Sequence, residues 1–149
     1  SGNALGEKTM ADYIAALPMS LFFLDFDHNS PNAEHLKAHH ESFFLNIREK
    51  NPDLPVIMAT KTDIPRSPAA EKSNAAHRAV VYETYENAVK RGDRNVIFID
   101  GATVFSKALT LSAPADSCTV DGCHPNDLGF YRMAMKIAPV LERLLKEKR

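Results

Sequence analysis

At 149 residues the chain has the length of one domain with a core of its own. Hydrophobic residues make up 44% and charged residues 25%, and a formal net charge of −1 removes any electrostatic case for nucleic acid or an anionic membrane surface. No apolar run nears the ~20 residues of a membrane helix, and the chain as it stands carries no signal peptide; its abrupt start at Ser1-Gly2-Asn3 is compatible with removal of a signal or an upstream domain, so a soluble protein is expected and no compartment is specified.

In chain order, Thr9–Leu17 reads as a short helix with Met10, Tyr13, Ile14 and Leu17 on one face. Leu21–Phe26 reads as a buried strand. Ser30-Pro31-Asn32 starts the next helix, with Asn32 as its cap; it runs to about Lys50 and shows a stripe of Leu36, His40, Phe43, Phe44 and Ile47. Val56–Thr60 is the second strand. A loop with Pro65 and Pro68 leads into a helix ending near Arg91, where Ala75, Ala79, Tyr82, Tyr85 and Val89 share a face and Gly92 is the stop. Asn95–Asp100 is the third strand, and a short helix is expected over Val104–Leu109. Asn126 or Asp127 caps the last helix, with Leu128, Tyr131, Met135 and Ala138 directed inward and Pro139 expected to kink or interrupt it.

This alternation predicts one α/β domain over 1–149, a parallel sheet with helices on both faces. Polar residues follow each strand: Asp27, His28 and Asn29, then Lys61, Thr62 and Asp63, then Asp100. Ligands in open α/β sheets bind outside the carboxyl ends of the strands. Asn29 and His124, 95 residues apart, are therefore expected to face a common site.

The chemistry concentrates in Asp121-Gly122-Cys123-His124-Pro125-Asn126-Asp127. An Asp three residues before a His can hold one imidazole nitrogen and leave the other free to take a proton from a hydroxyl nucleophile. No convincing nucleophile accompanies it. Cys118 and Cys123 fit neither a redox CxxC nor a zinc framework, and both a small disulfide loop and two free thiols remain open. His35 and His39 have the i,i+4 spacing of a metal pair, but His35-Leu36-Lys37-Ala38-His39 lacks the glutamate of HExxH, so a solvated helix face is expected and no metal or other cofactor is assigned. Tyr82 and Tyr85 read as core or interface residues, and Lys146–Arg149 as a charged helix end that suits the helix dipole.

Asp121-Gly122-Cys123-His124-Pro125 resembles the DxxHP block of the SGNH (GDSL-type) hydrolases, and Asn126-Asp127-Leu128-Gly129 continues as in many members. Phe26-Asp27-His28-Asn29 resembles the block usually written GxND, closest to a bacterial subgroup reading D-Y-D-H-N. Ser1-Gly2-Asn3 is similar to the end of the block before it. The resemblance covers essentially the whole chain and implies a three-layer α/β/α, flavodoxin-like fold. It also implies ester hydrolysis by a Ser–His–Asp triad, with His124 as base and then acid and Asp121 orienting it. Asn29 and the Gly2 N–H would be the oxyanion donors. Asp27, His28 and Lys61 are candidate substrate contacts, although Asp27 and His28 also suit a role in orienting their loop. The implied substrate is a small-molecule or carbohydrate ester, with neither nucleic acid nor membrane as partner.

The sequence departs from the family at its start. The block with the nucleophilic serine does not occur, Ser1 aligns with a neighbouring block, and Ser30 stands where many members have Asp. The expectation is an N-terminally truncated sheet of three of the usual five strands, with weak activity or none. Leu21–Phe26 would then form an exposed apolar edge, which predicts a homodimer or swapped assembly. The competing expectation is a non-catalytic binding module that keeps the scaffold.

Overall fold

Three short strands form the centre of the computed structural model, which describes residues 2–105 and 115–146. They are β1 (Phe22–Leu24), β2 (Val56–Ala59) and β3 (Val96–Ile99), parallel and in the order β1-β2-β3. The register places Leu24 beside Met58 and Met58 beside Phe98, so the three chains leave the sheet nearly level. Each strand is shorter than the stretch expected from sequence. In the first, the backbone turns away at Phe26 into a 3₁₀ turn over Asp27–Asn29.

Side chains alternate across the sheet, as strand geometry requires. Leu24, Val56, Met58 and Val96 pack under α1 (Lys8–Ala15), α2 (Ala33–Lys50) and α3 (Pro68–Lys90). Ile57, Ala59 and Ile99 face α4 (Asp127–Lys146) through Ile137, Val140, Leu141 and Leu144. This is the expected three-layer α/β/α arrangement. Among the described residues β1 pairs only with β2, and its other edge is free.

The α2 stripe is as expected, with Leu36, His40, Phe43, Phe44 and Ile47 buried and Asn32 Oδ1 accepting the His35 N–H at 2.7 Å. Ser67 caps α3, Pro68 occupies its first turn, and Gly92 follows its end at φ 87°.

Three other faces differ from expectation. In α1 the small residues Ala11 and Ala15 are buried, while Met10, Tyr13 and Leu17 are exposed. Small side chains let α1 lie close to α2, where Asn46 Nδ2 donates to Asp12 at 2.6 Å and Asn51 Nδ2 to the Ala15 carbonyl at 2.9 Å. In α3 the buried residues are His77, Val80, Val81, Thr84 and Ala88. Its alanines at 75 and 79 are exposed, and Tyr82 and Tyr85 pack around Phe98, with ring centroids at 5.1 and 5.9 Å. In α4 Tyr131 and Met135 are exposed and Arg132 is buried, its Nη1 donating to the Phe105 carbonyl at 3.2 Å. The helix continues through Pro139.

Of the expected Val104–Leu109 helix, only Val104 and Phe105 are described; both are buried and follow a 3₁₀ turn at Gly101–Thr103. The remainder of that segment, Ser1 and Glu147–Arg149 lie outside the described residues.

His40 is the one titratable residue of that α2 stripe. Its ring lies tilted against Phe26, with centroids 5.3 Å apart, and its Nδ1 is 2.9 Å from Thr84 Oγ1, whose own proton goes to the Val80 carbonyl. Nδ1 is therefore the protonated nitrogen, and Nε2 is a buried acceptor with no hydrogen-bond partner among the described residues. Burial holds this imidazole down to about 4. As the pH falls from ~6.5 toward that value, the unfolded chain takes up a proton that the folded chain refuses, at a cost of up to about 3 kcal/mol. In urea unfolding, His40→Leu should gain on the parent across this window and keep a constant offset above pH 7. A constant offset at every pH would refute this.

Candidate active site

Because the strands end level, the loops after β1 and β2 emerge side by side, and the Asp121–His124 loop comes down against them. Specific hydrogen bonds tie the three together. Asp27 Oδ2 accepts the Lys61 N–H at 3.0 Å, and the Gly122 carbonyl accepts the Ile64 N–H at 2.8 Å. A Cβ on Gly101 would meet the Thr60 carbonyl oxygen, and its N–H donates to Thr60 Oγ1 at 2.9 Å, so the loop after β3 is drawn against the loop after β2.

Between these loops lies a cleft of about 550 Å³, lined by Gly2, Asp25, His28, Asn29, Lys61 and His124 among others. Asn29 and His124 face the common site that the topology predicts. A second, more apolar groove of about 630 Å³ runs along the free edge of β1, past Met10, Ile14, Phe22 and Phe23. The two hollows share Gly2, Asp25 and Asn29.

Asp121 organises its loop. Oδ1 accepts the N–H groups of Cys123 at 2.9 Å and His124 at 2.8 Å, and Oδ2 accepts the His124 Nδ1 proton at 2.6 Å. The imidazole orientation and tautomer follow, leaving Nε2 as the acceptor. These bonds hold the Asp121 carboxyl well below the usual range. The same hydrogen bond and the negative charge of Asp121 raise the His124 pKa above its ordinary 6.5. Asp25 behaves differently. Part of its surface stays open to the cleft, yet the protein around it removes enough water to push its carboxyl up to about 6, with the charge of Asp27 adding to the effect. Burial also raises Asp27, against the Lys61 N–H that lowers it. Cys118 is buried, Cys123 half-buried, and both are free thiols.

A sequence-family comparison matches residues 1–142 to the GDSL-like Lipase/Acylhydrolase family. The chain belongs to this family. Among solved structures, a GDSL-like lipase candidate from Bacteroides ovatus superimposes with a TM-score of 0.84 at 29% identity, over 98% of this chain and 42% of that one. The salicylyl-acyltransferase SsfX3 of a tetracycline biosynthetic pathway aligns at 0.71 and 24% identity, over 94% and 43%, a likeness of fold. The chain thus spans less than half the length of either structure. No curated protein matches it.

Within this family frame the residues singled out by sequence divide into two groups. Gly2, His28, Asn29, Lys61 and His124 border the cleft, and Asp121 stands behind His124. Asp27 is 1% exposed and lies under the cleft, bracing the loop after β2 where sequence reasoning also offered it as a substrate contact. His35 and His39 stack on each other at 4.2 Å on α2 and line none of this space. Asp25 and Cys123 are among the lining residues that escaped the sequence reading. Asp25 was absorbed into the strand, although a carboxylate ending an apolar run was the available signal. Cys123 was visible only as a member of a cysteine pair.

Gly129 explains why the family block continues past His124. Its Cβ would lie 2.1 Å from the Cys118 carbonyl oxygen, which accepts the Asn126 N–H at 3.0 Å, while Asn126 Oδ1 caps α4 on the Gly129 N–H at 3.1 Å. Gly129→Ala must push the 118–126 hairpin off α4, and ~1–3 kcal/mol of destabilisation is expected. It should appear as a lower urea midpoint at unchanged slope, and an unchanged midpoint would show that the hairpin yields freely.

Proposed function

We propose that this chain carries the general base, its orienting carboxylate and the oxyanion donors of a carboxylic-ester hydrolase of the Ser–His–Asp type. The Asp121–His124 pair, set in one cleft with Asn29 and Gly2, carries the reading. His124 Nε2 would take the proton of a serine hydroxyl as that oxygen attacks the ester carbonyl. The Asn29 amide and Gly2 N–H would donate to the oxyanion, and neither group titrates in doing so. On collapse His124 returns the proton to the leaving alkoxide, and water, activated by the same base, then releases the acid.

The described cleft lining contains no serine, and its hydroxyls, on Thr60 and Thr62, belong to buried residues. We place the nucleophile on a strand that docks in parallel along the free edge of β1. Such a strand would end level with Leu24, and its next residues would reach Gly2, Asp25 and Asn29 at the head of the cleft. The side chain of His124 is 76% exposed, which suits a bulky ester such as an acylated carbohydrate.

The test is p-nitrophenyl acetate hydrolysis by the 149-residue chain beside a version extended upstream by roughly one βαβ unit of ~30–60 residues. Only the extended version is expected to turn over. His124→Ala should cost it on the order of 10⁶ in kcat, and Asn29→Ala about 10²–10³. His124 must be neutral to act as base, so activity should rise with pH through a midpoint above 6.5, the value from which Asp121 raises it. In Asp121→Asn the residual activity should rise at lower pH, because the carboxylate no longer stabilises the imidazolium. An active His124→Ala variant would remove the base assignment, and an inert extended chain would favour a binding module on the same scaffold.

The free edge yields a separate prediction. The 149-residue chain should dimerise with increasing concentration in size-exclusion chromatography with light scattering, and the extended chain should remain monomeric. A monomer at all concentrations of the short chain would argue against pairing through β1.

A further inference from the structure

A second set of chemically capable side chains, which the proposed hydrolysis does not use, sits where the cleft, lined by His28 and Cys123, meets a neighbouring hollow lined by Asp63. His28, Asp63 and Cys123 come from three different loops, and one donor atom from each lies within 4.8 Å of the other two. His28 Nδ1 is 3.8 Å from Cys123 Sγ, and its Nε2 is 3.1 Å from Asp63 Oδ1. The second contact is close but poorly directed, so among the described residues no well-aligned donor reaches the buried Oδ1. Lys61 approaches the other oxygen, with Nζ 3.7 Å from Oδ2, and leaves Oδ1 to the imidazole and the thiol.

Each of these residues sits next to a hydrogen bond that braces its loop. Asp27, beside His28, is tied to the Lys61 N–H. Ile64, beside Asp63, is tied to Gly122, beside Cys123. The Cys123 N–H is itself held by Asp121. Supported backbone of this kind holds side chains in place before a ligand arrives.

We propose that His28, Asp63 and Cys123 bind a zinc ion at the edge of the cleft. A thiolate with an imidazole and one carboxylate suits zinc, whereas magnesium and calcium prefer all-oxygen shells. Three protein ligands leave a position for water or a substrate oxygen. Binding forms Zn–N, Zn–O and Zn–S bonds, releases the Cys123 thiol proton to solvent and changes no oxidation state. The inference is independent of the esterase reading, because none of the three ligands belongs to the proposed triad or oxyanion hole.

Cobalt(II) added to the reduced 149-residue chain is expected to give a thiolate-to-metal charge-transfer band that zinc abolishes by displacement. Cys118 is fully buried, so the band reports Cys123 and should vanish in Cys123→Ser. By competition with a chromophoric chelator, His28→Gln and Asp63→Asn should weaken zinc binding by about tenfold or more. The double variant His35→Ala, His39→Ala should bind as the parent does; those rings are already engaged, His35 Nδ1 with Ser30 Oγ at 3.1 Å and His39 Nδ1 with the His35 carbonyl at 2.8 Å. No charge-transfer band in the parent, or undiminished zinc affinity in Cys123→Ser, would overturn the proposal.

Discussion

Strand β2 has no exposure to spare. Val56, Ile57 and Met58 are fully buried, with β1 and β3 on its edges and helices over both faces. A strand in that position can be apolar on both sides only if its neighbours run parallel and in register, because every backbone group must find its partner within the sheet. The level strand ends follow from this constraint, and so does the meeting of the loops after β1 and β2. The Asp27–Lys61 contact then fixes the distance between those loops, and the Ile64–Gly122 contact brings in a third loop from the far end of the chain. The His124 imidazole is thus brought to the same cleft as the Asn29 amide through a short series of backbone anchors that begins at the centre of the sheet.

The layers and the cleft were legible in the sequence for one reason. Apolar runs of strand length followed by polar residues state where a parallel sheet ends, and the order of elements does the rest. The helix faces were less legible. α2 could be read because large apolar residues, capped by Asn32, are also the ones it buries. In α1 and α4 the large residues Met10, Tyr13, Tyr131 and Met135 point outward, while Ala11, Ala15 and Gly129 make the close contacts. Periodicity weights a side chain by its size, whereas α1 packs closely through its smallest residues and α4 also buries Arg132, which no apolar pattern marks. α3 hid its face differently, by burying His77 and Thr84 against polar partners on α2 and Ser30. At the site, the DxxH spacing revealed Asp121 and His124 because both act locally. Asp25 and Cys123 owe their place to long-range packing, which no local pattern reports.

The carboxylates around the cleft show how environment sorts one functional group into different roles. Asp121, exposed and saturated with N–H donors, stays ionised over any physiological pH. Asp25, short of water and near Asp27, titrates close to neutrality. Asp27 is buried as a structural strut. The charge that the cleft presents to a ligand therefore changes with mild acidification, while the carboxylate that orients the His124 imidazole stays ionised.

The apolar groove beside β1 and the polar cleft are contiguous through Gly2, Asp25 and Asn29. Thermodynamic linkage follows from that shared wall. Whatever occupies the groove alters three residues that a cleft ligand also touches, so the two binding free energies contain a common coupling. A ligand that prefers the cleft with the groove filled must tighten the hold on the groove's occupant by the same factor, and it lends the assembled fold a stability that grows with the logarithm of ligand concentration. The occupants of groove and cleft are thermodynamic effectors of each other.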